Sequence, residues 1–165
     1  MQHWYAIHCK PREDARAELH LENQGYEVFR PKQRIRRRRG GRMVALVDSL
    51  FPRYLFIRLD NVHENWAPIR STRGVAGLVR WGSQVPVVPE PVVETLRERT
   101  GEDGCVAPLE AGYRQGERLR IEEGPFAGLE GVFQARSGED RVILLLEIMR
   151  RAQRLVVPET AVARA

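Results

Sequence analysis

The sequence predicts an α+β protein in two parts. Residues 1–100 would form helices on a mainly antiparallel sheet, an α/β sandwich, and residues 113–165 a small C-terminal module, a five-stranded β-barrel. Three observations carry this. Aromatic and β-branched runs alternate with stretches of helical spacing along the first hundred residues, in the order β-α-β-β-α-β-α. Residues 101–112 have no strong period and are rich in glycine, proline and acids, as a linker is. Beyond them, Gly116-Glu-Arg-Leu-Arg-Ile-Glu-Glu-Gly-Pro-Phe-Ala-Gly-Leu-Glu-Gly-Val132 sets a short alternating strand (Arg118 to Ile121), a Gly-Pro turn and a second strand near Gly131-Val132-Phe133.

Each element has a local reason. Trp4 to His8 is aromatic and β-branched, so it reads as a buried strand. Pro11 permits a helix start, Arg12 to Gln24 follows, and Gly25 stops it. Tyr26 to Pro31 is a second strand. Gln33-Arg-Ile and Met43-Val-Ala-Leu-Val flank Gly40-Gly41, which makes the basic stretch between them the tip of a long hairpin. Leu50 to Leu59 is a strand carrying Phe51, Tyr54 and Phe56. Val62 to Ser71 reads as a short helix broken by Pro68, and Val75 to Arg80 and Val85 to Val88 as strands around Gly82-Ser83. Pro89-Glu90-Pro91 opens a last helix that Val92, Val93 and Leu96 carry to Thr100.

The tail has two readings. As a strand, Val142, Leu144, Leu146 and Ile148 line one face. As a helix, Leu144, Leu145, Ile148, Ala152 and Leu155 share a stripe, and the residue types between them favour helix.

At 165 residues, 42% hydrophobic and 30% charged, the composition is that of a globular protein. No apolar run approaches the ~20 residues of a membrane span, and Met1-Gln-His-Trp-Tyr lacks the features of a secretory leader. A cytoplasmic monomer is expected. Two cysteines, Cys9 and Cys105, and four scattered histidines make a disulfide framework and a metal site poor expectations. No carboxylate pair, phosphate-binding glycine loop or nucleophile elbow stands out, so no catalytic residue, cofactor or enzymatic activity is expected. The net charge of +5 is unevenly spread. From Arg30 to Arg53 nine basic residues face one acid, Asp48. Charge this dense stays solvated or meets a polyanion, and the Arg34–Arg42 tip fits either role.

The Gly-Glu-x-x-x-Ile-x-x-Gly-Pro-Phe-x-Gly-x-x-Gly pattern resembles the KOW motif of transcription elongation factors and ribosomal proteins. An aromatic α+β domain followed by such a module resembles the NusG family of transcription elongation factors, whose N-terminal domain is termed NGN. The matching segments are Trp4-Tyr5, Cys9-Lys10, Leu50-Phe51-Pro52-x-Tyr54-Leu55-Phe56, Thr72-Arg73-Gly74-Val75, Val79-Arg80, Val88-Pro89 and Leu144-Leu145-Leu146. Within the family, Lys10, His20 and Thr72-Arg73-Gly74 are similar to the operon-specific RfaH branch, which suppresses pausing and termination.

The resemblance implies partners and sites. An apolar cavity of Phe51, Pro52, Tyr54, Phe56, Trp81 and Leu96 would hold the β′ clamp helices of RNA polymerase. Lys10, Arg16, His20, Thr72 and Arg73 would read the non-template DNA strand. In the RfaH branch the tail forms either a helical hairpin that masks this cavity or a free β-barrel that recruits a small-subunit ribosomal protein. Phe126, Leu145, Ile148 and Met149 would then cover the cavity, and Asp48 would pair with Arg141 across the domain interface. The family's gate-loop contact with the polymerase β subunit falls here on Asn65-Trp66-Ala67-Pro68, which lacks the expected His-Thr-Thr chemistry. Position 8 is histidine where an aromatic residue is expected. A housekeeping NusG and a KOW-bearing RNA-binding or ribosomal protein are the rival functions.

Overall fold

The computed structural model describes residues 1–60, 66–107, 129–135 and 137–156. Its centre is an antiparallel sheet built on β1 (Gln2–Cys9). The long strand β5 (Tyr54–Asp60) pairs along nearly the whole of β1, from Gln2 opposite Asp60 to His8 opposite Tyr54. β2 (Glu27–Phe29) extends the sheet beyond β5, and β6 (Val75–Leu78) and β7 (Val87–Val88) share the other edge of β1.

Alternation along β1 sorts the protein into two cores. Tyr5, Ile7 and Cys9 point to one face, where α1 (Asp14–Asn23) covers them with Ala17 and Leu21, and α2 (Ala67–Arg70) with Ile69. Trp4 and Ala6 point to the other face, where α3 (Glu90–Glu98) contributes Val92, Val93 and Leu96. Pro89 is the cap residue of α3 and Pro91 sits in its first turn, the position where a missing N–H costs nothing.

β3 (Lys32–Arg39) and β4 (Arg42–Ser49) form a separate two-stranded ribbon, with Arg39 opposite Arg42 across Gly40-Gly41. Both glycines have positive φ, +57° and +78°, which is why the tip needs them. The ribbon is longer than its apolar residues alone suggest, because backbone pairing continues through four consecutive arginines.

Several boundaries correct the sequence reading. The strand expected from Leu50 starts only at Tyr54. Phe51-Pro52-Arg53 is a turn, with Arg53 at φ +71°. The helix expected over Val62 to Ser71 is described only as Ala67–Arg70, and Pro68 lies in its first turn rather than breaking it. The first half of the expected linker is packed. Val106 donates its N–H to the Lys32 carbonyl at 2.7 Å, and Cys105 and Val106 are buried.

Of its two readings the tail takes the helical one: its described residues are the helices α4 (Leu129–Gln134) and α5 (Gly138–Val156). Gly131-Val132-Phe133, expected to open a strand, lies inside α4. On α5, Leu145, Ile148 and Met149 are fully buried at the i, i+3, i+4 spacing of one helix face. They join Trp4, Phe51, Phe56, Val88 and Leu96 in a single core, together with Leu129 and Val132 of α4. The sheet face that α3 leaves open is thus closed by the tail, and that burial selects helix over strand. The Arg118–Ile121 strand and the Gly-Pro turn lie outside the described residues.

Candidate functional site

Phe51, Pro52, Tyr54, Phe56, Trp81 and Leu96 lie on the same side of the sheet, and the tail helices cover them. Phe51, Phe56 and Leu96 are fully buried; Pro52, Tyr54 and Trp81 are half-buried. Phe51 and Phe56 meet edge to face with ring centroids 5.9 Å apart. Two tail residues that sequence reasoning missed reach the same patch. The Arg150 guanidinium stands 5.4 Å over the Trp81 ring. Gly138, which opens α5, lies so close to Pro52 that a Cβ would fall 2.7 Å from the proline Cδ. Glycine is therefore a requirement of the docking, a signal that only the contact reveals.

The turn that carries Pro52 is fastened from the opposite face. Arg53 tolerates its left-handed backbone because its N–H donates to Asp14 Oδ2 at 2.7 Å. Its Nε donates to the Cys9 carbonyl at 3.1 Å, and its own carbonyl accepts the Cys9 N–H at 2.7 Å. Beside it, His8 stacks on Tyr54 with centroids 5.0 Å apart and rings inclined by 22°. Burial, then the Arg53 charge, lowers the His8 pKa, and Asp14 opposes them. A neutral imidazole thus serves where an aromatic residue was expected. Burial also pushes the Cys9 thiol up to about 12, so that cysteine stays protonated at neutral pH.

Lys10, Arg16, His20, Thr72 and Arg73 gather where β1 meets α1 and the turn before β6. Gly74, at φ +86°, makes this possible, since a Cβ there would lie 2.9 Å from backbone atoms of Ala17 and Glu13. Its carbonyl accepts the Lys10 N–H at 2.8 Å. The members differ in exposure. Lys10, Arg16 and Arg73 face solvent and His20 is half-buried, whereas Thr72 is buried. The Thr72 hydroxyl donates to the Pro68 carbonyl at 2.9 Å and accepts from Gln24 Nε2 at 2.7 Å. Gln24 also donates to the His20 carbonyl at 3.0 Å, so it clasps the helix to the turn. Four residues beyond His20 on the same helix path, it carried no distinguishing signal in the sequence. Arg16 pairs with Glu13 at 3.0 Å on the surface.

Asp48 and Arg141 do not form the expected contact pair. Arg141 is buried, and its guanidinium is held by carbonyls: Nε donates to Leu50 O at 2.6 Å and Nη1 to Ala135 O at 3.1 Å. Asp48 accepts its neighbour Ser49's N–H at 2.8 Å and pairs with Arg37 at 3.5 Å. The two charges still act through space. Burial lowers the Arg141 pKa, and the Asp48 carboxylate raises it back. Phe126 lies outside the described residues, as does Asn65. Trp66, beside Asn65, packs edge to face on Tyr5 at 4.9 Å and donates Nε1–H to the Asp60 carbonyl at 3.3 Å.

Among the described residues no group of three or more His, Cys, Asp or Glu side chains could hold a metal ion, and no helix is long and apolar enough to cross a membrane. Residues 2–97 match the family described as "Transcription termination factor nusG". The chain is 30% identical to the transcription termination/antitermination protein NusG of Thermus thermophilus, over 78% of this chain and 79% of that one. It is 26% identical to the Deinococcus radiodurans NusG, over 90% and 91%, and 29% identical to that of Staphylococcus epidermidis, over 79% and 78%. A solved structure described as "Domain interaction in Thermotoga maritima NusG" superposes with a TM-score of 0.43 at 18% identity, covering 69% of this chain and 68% of that one.

Proposed function

Starting from the fact that this chain belongs to the NusG family of transcription termination/antitermination factors, we propose that it is an operon-specific elongation and antitermination factor of the RfaH type. The apolar patch of Phe51, Pro52, Tyr54, Phe56, Trp81 and Leu96 binds the β′ clamp helices of RNA polymerase. The tail masks that patch until recruitment. One observation carries the reading: Leu145, Ile148 and Met149 bury themselves on this patch from a helical tail. A housekeeping factor that binds polymerase at every operon gains nothing from a covered binding surface.

Recruitment runs through non-template DNA. Lys10, Arg16 and Arg73, exposed on one surface, attract phosphates, and His20 and Arg73 contact unstacked bases. Thr72 supports that surface from inside through Gln24 and Pro68. The arginine ribbon adds phosphate contacts that do not depend on sequence. Once the patch is uncovered, the tail is free to refold as a KOW barrel and engage a small-subunit ribosomal protein. Ala67 and Pro68 offer no hydroxyl to a polymerase gate loop, so a contact there uses different chemistry.

The test compares polymerase pull-down by the full chain on elongation complexes with native and scrambled non-template sequence, with a Tyr54→Ala/Phe56→Ala double variant alongside. The proposal expects sequence-dependent loading and loss of binding in the folded double variant. Equal loading on every template favours the housekeeping reading. Unchanged binding by the double variant overturns the clamp-helix assignment.

A further inference from the structure

The β3–β4 ribbon, the loop at 101–107 and the two tail helices line a half-open cavity of about 780 Å³. That is the size of a small-molecule site, which typically occupies ~300–1,000 Å³. Ile35, Leu50, Val106 and Phe133 give it apolar walls, and Arg34, Arg36 and Arg141 also line it. Among the described residues the one acid in its lining, Asp103, is taken by Arg34 at 3.1 Å.

Arg141 is the informative member. It is only 6% exposed, and a buried guanidinium remains charged. Buried charges are ordinarily matched by an opposite one, because desolvation is otherwise uncompensated. Its two hydrogen bonds go to neutral carbonyls, and among the described residues its Nη2 has no hydrogen-bond partner and no carboxylate lies within ion-pair distance. Asp48 reaches it only through space, with its oxygens engaged by Arg37 and the Ser49 N–H. A buried cation, a second arginine on the facing ribbon and an aromatic wall are the parts needed to hold a phosphate joined to a planar group.

We propose that this cavity binds a small phosphorylated molecule of the nucleoside phosphate class. Arg36 and Arg141 take the phosphate, and the base lies against Phe133 and Ile35. Arg36 and Ile35 belong to the ribbon, and Arg141 and Phe133 to the tail. A ligand touching both therefore holds the tail down on the apolar patch. This last consequence rests on the reading of the tail as a mask.

The experiment is calorimetric titration of the full chain with AMP, ATP, adenosine and inorganic phosphate, paired with amide hydrogen exchange of α4 and α5. The expected result is saturable 1:1 binding of AMP or ATP, with adenosine and inorganic phosphate at least tenfold weaker. Arg36→Ser should weaken binding at least tenfold. Ala45→Trp, which fills the cavity and removes no charge, should abolish it. Arg38→Ser, nearer the ribbon tip, should change it less than twofold. No saturable binding of any probe at millimolar concentration overturns the site. So does wild-type affinity in Ala45→Trp, or equal loss in Arg38→Ser and Arg36→Ser, which would mark attraction to ribbon charge alone. Binding that leaves exchange in α4 and α5 unslowed overturns the coupling to the tail and is distinguishable from failure of the site.

Discussion

The Arg141 side chain of the tail donates through Nε to the main-chain carbonyl of Leu50, 91 residues earlier, at 2.6 Å. Leu50 follows the last ribbon residue, Ser49, and leads into the Phe51-Pro52-Arg53 turn, so this one bond ties α5 to the turn that carries the apolar patch. The tie is polar and directional, while most of the docking energy is apolar. Burying Leu145, Ile148 and Met149 contributes about 1.5–3 kcal/mol each by area. The Asp48 carboxylate is 43% exposed and already paired with Arg37, so solvent screens it and the apolar contacts outweigh its link to Arg141.

Removing Arg141 should therefore release the tail more than removing Asp48. Arg141→Leu leaves the Leu50 and Ala135 carbonyls without their donor, at about 1–3 kcal/mol for each group that stays buried. Asp48→Asn should shift the balance by less than about 1 kcal/mol, since its side chain is 43% exposed. NMR signals of α5 in the full chain report the populations. A larger opening in Asp48→Asn than in Arg141→Leu would contradict the carbonyl-clamp account.

Gly138→Val should undock the start of α5, because its side chain must occupy the space of the Pro52 ring. Pro52→Ala in the same chain should partly restore docking by making room. Amide exchange along α5 measures both effects. Undiminished protection in Gly138→Val would show that this approach is not needed.

Acid should loosen the sheet at His8, which lies on the interior strand β1 between β5 and β6. Its pKa in the folded protein is held below the ordinary 6.5, so the unfolded chain binds more protons as pH falls. Stability is then full above pH 6.5 and declines as pH drops below it, levelling off beneath the lowered folded pKa. His8→Phe keeps a ring on Tyr54 and removes the titration. Denaturant unfolding at a series of pH values should show a shallower decline between pH 6.5 and 5 in that variant than in the parent. Equal slopes would exclude His8 as the source.

Replacing Arg36 to Arg39 with serine should weaken binding to elongation complexes and flatten its salt dependence. Each lost phosphate contact reduces the slope of log K against log salt by about 0.9 on duplex DNA. The ribbon fold should survive, because these side chains are exposed. An unchanged slope would mean that the arginines only keep the ribbon solvated.

Much of the N-terminal half was legible from residue pattern. Trp4-to-His8 alternation, the Pro-Glu-Pro start of α3 and the Gly40-Gly41 tip act within a few residues, so local sequence determined them. The aromatic composition of the patch was also visible, since Phe51, Tyr54 and Phe56 stand together in the chain. Their neighbours were not. Gln24 on Thr72, Arg150 on Trp81 and Gly138 against Pro52 are partners across long stretches of chain, and each is an ordinary surface residue until its partner is in place. The tail is the clearest case. Its Leu, Ile and Met residues satisfy a strand's period and a helix's period alike, so residues 138–156 by themselves left both open. The sheet face that α3 leaves open decided between them. It accepts the i, i+3, i+4 stripe of Leu145, Ile148 and Met149 as one continuous apolar surface, which alternating residues on a strand could not supply from the same positions.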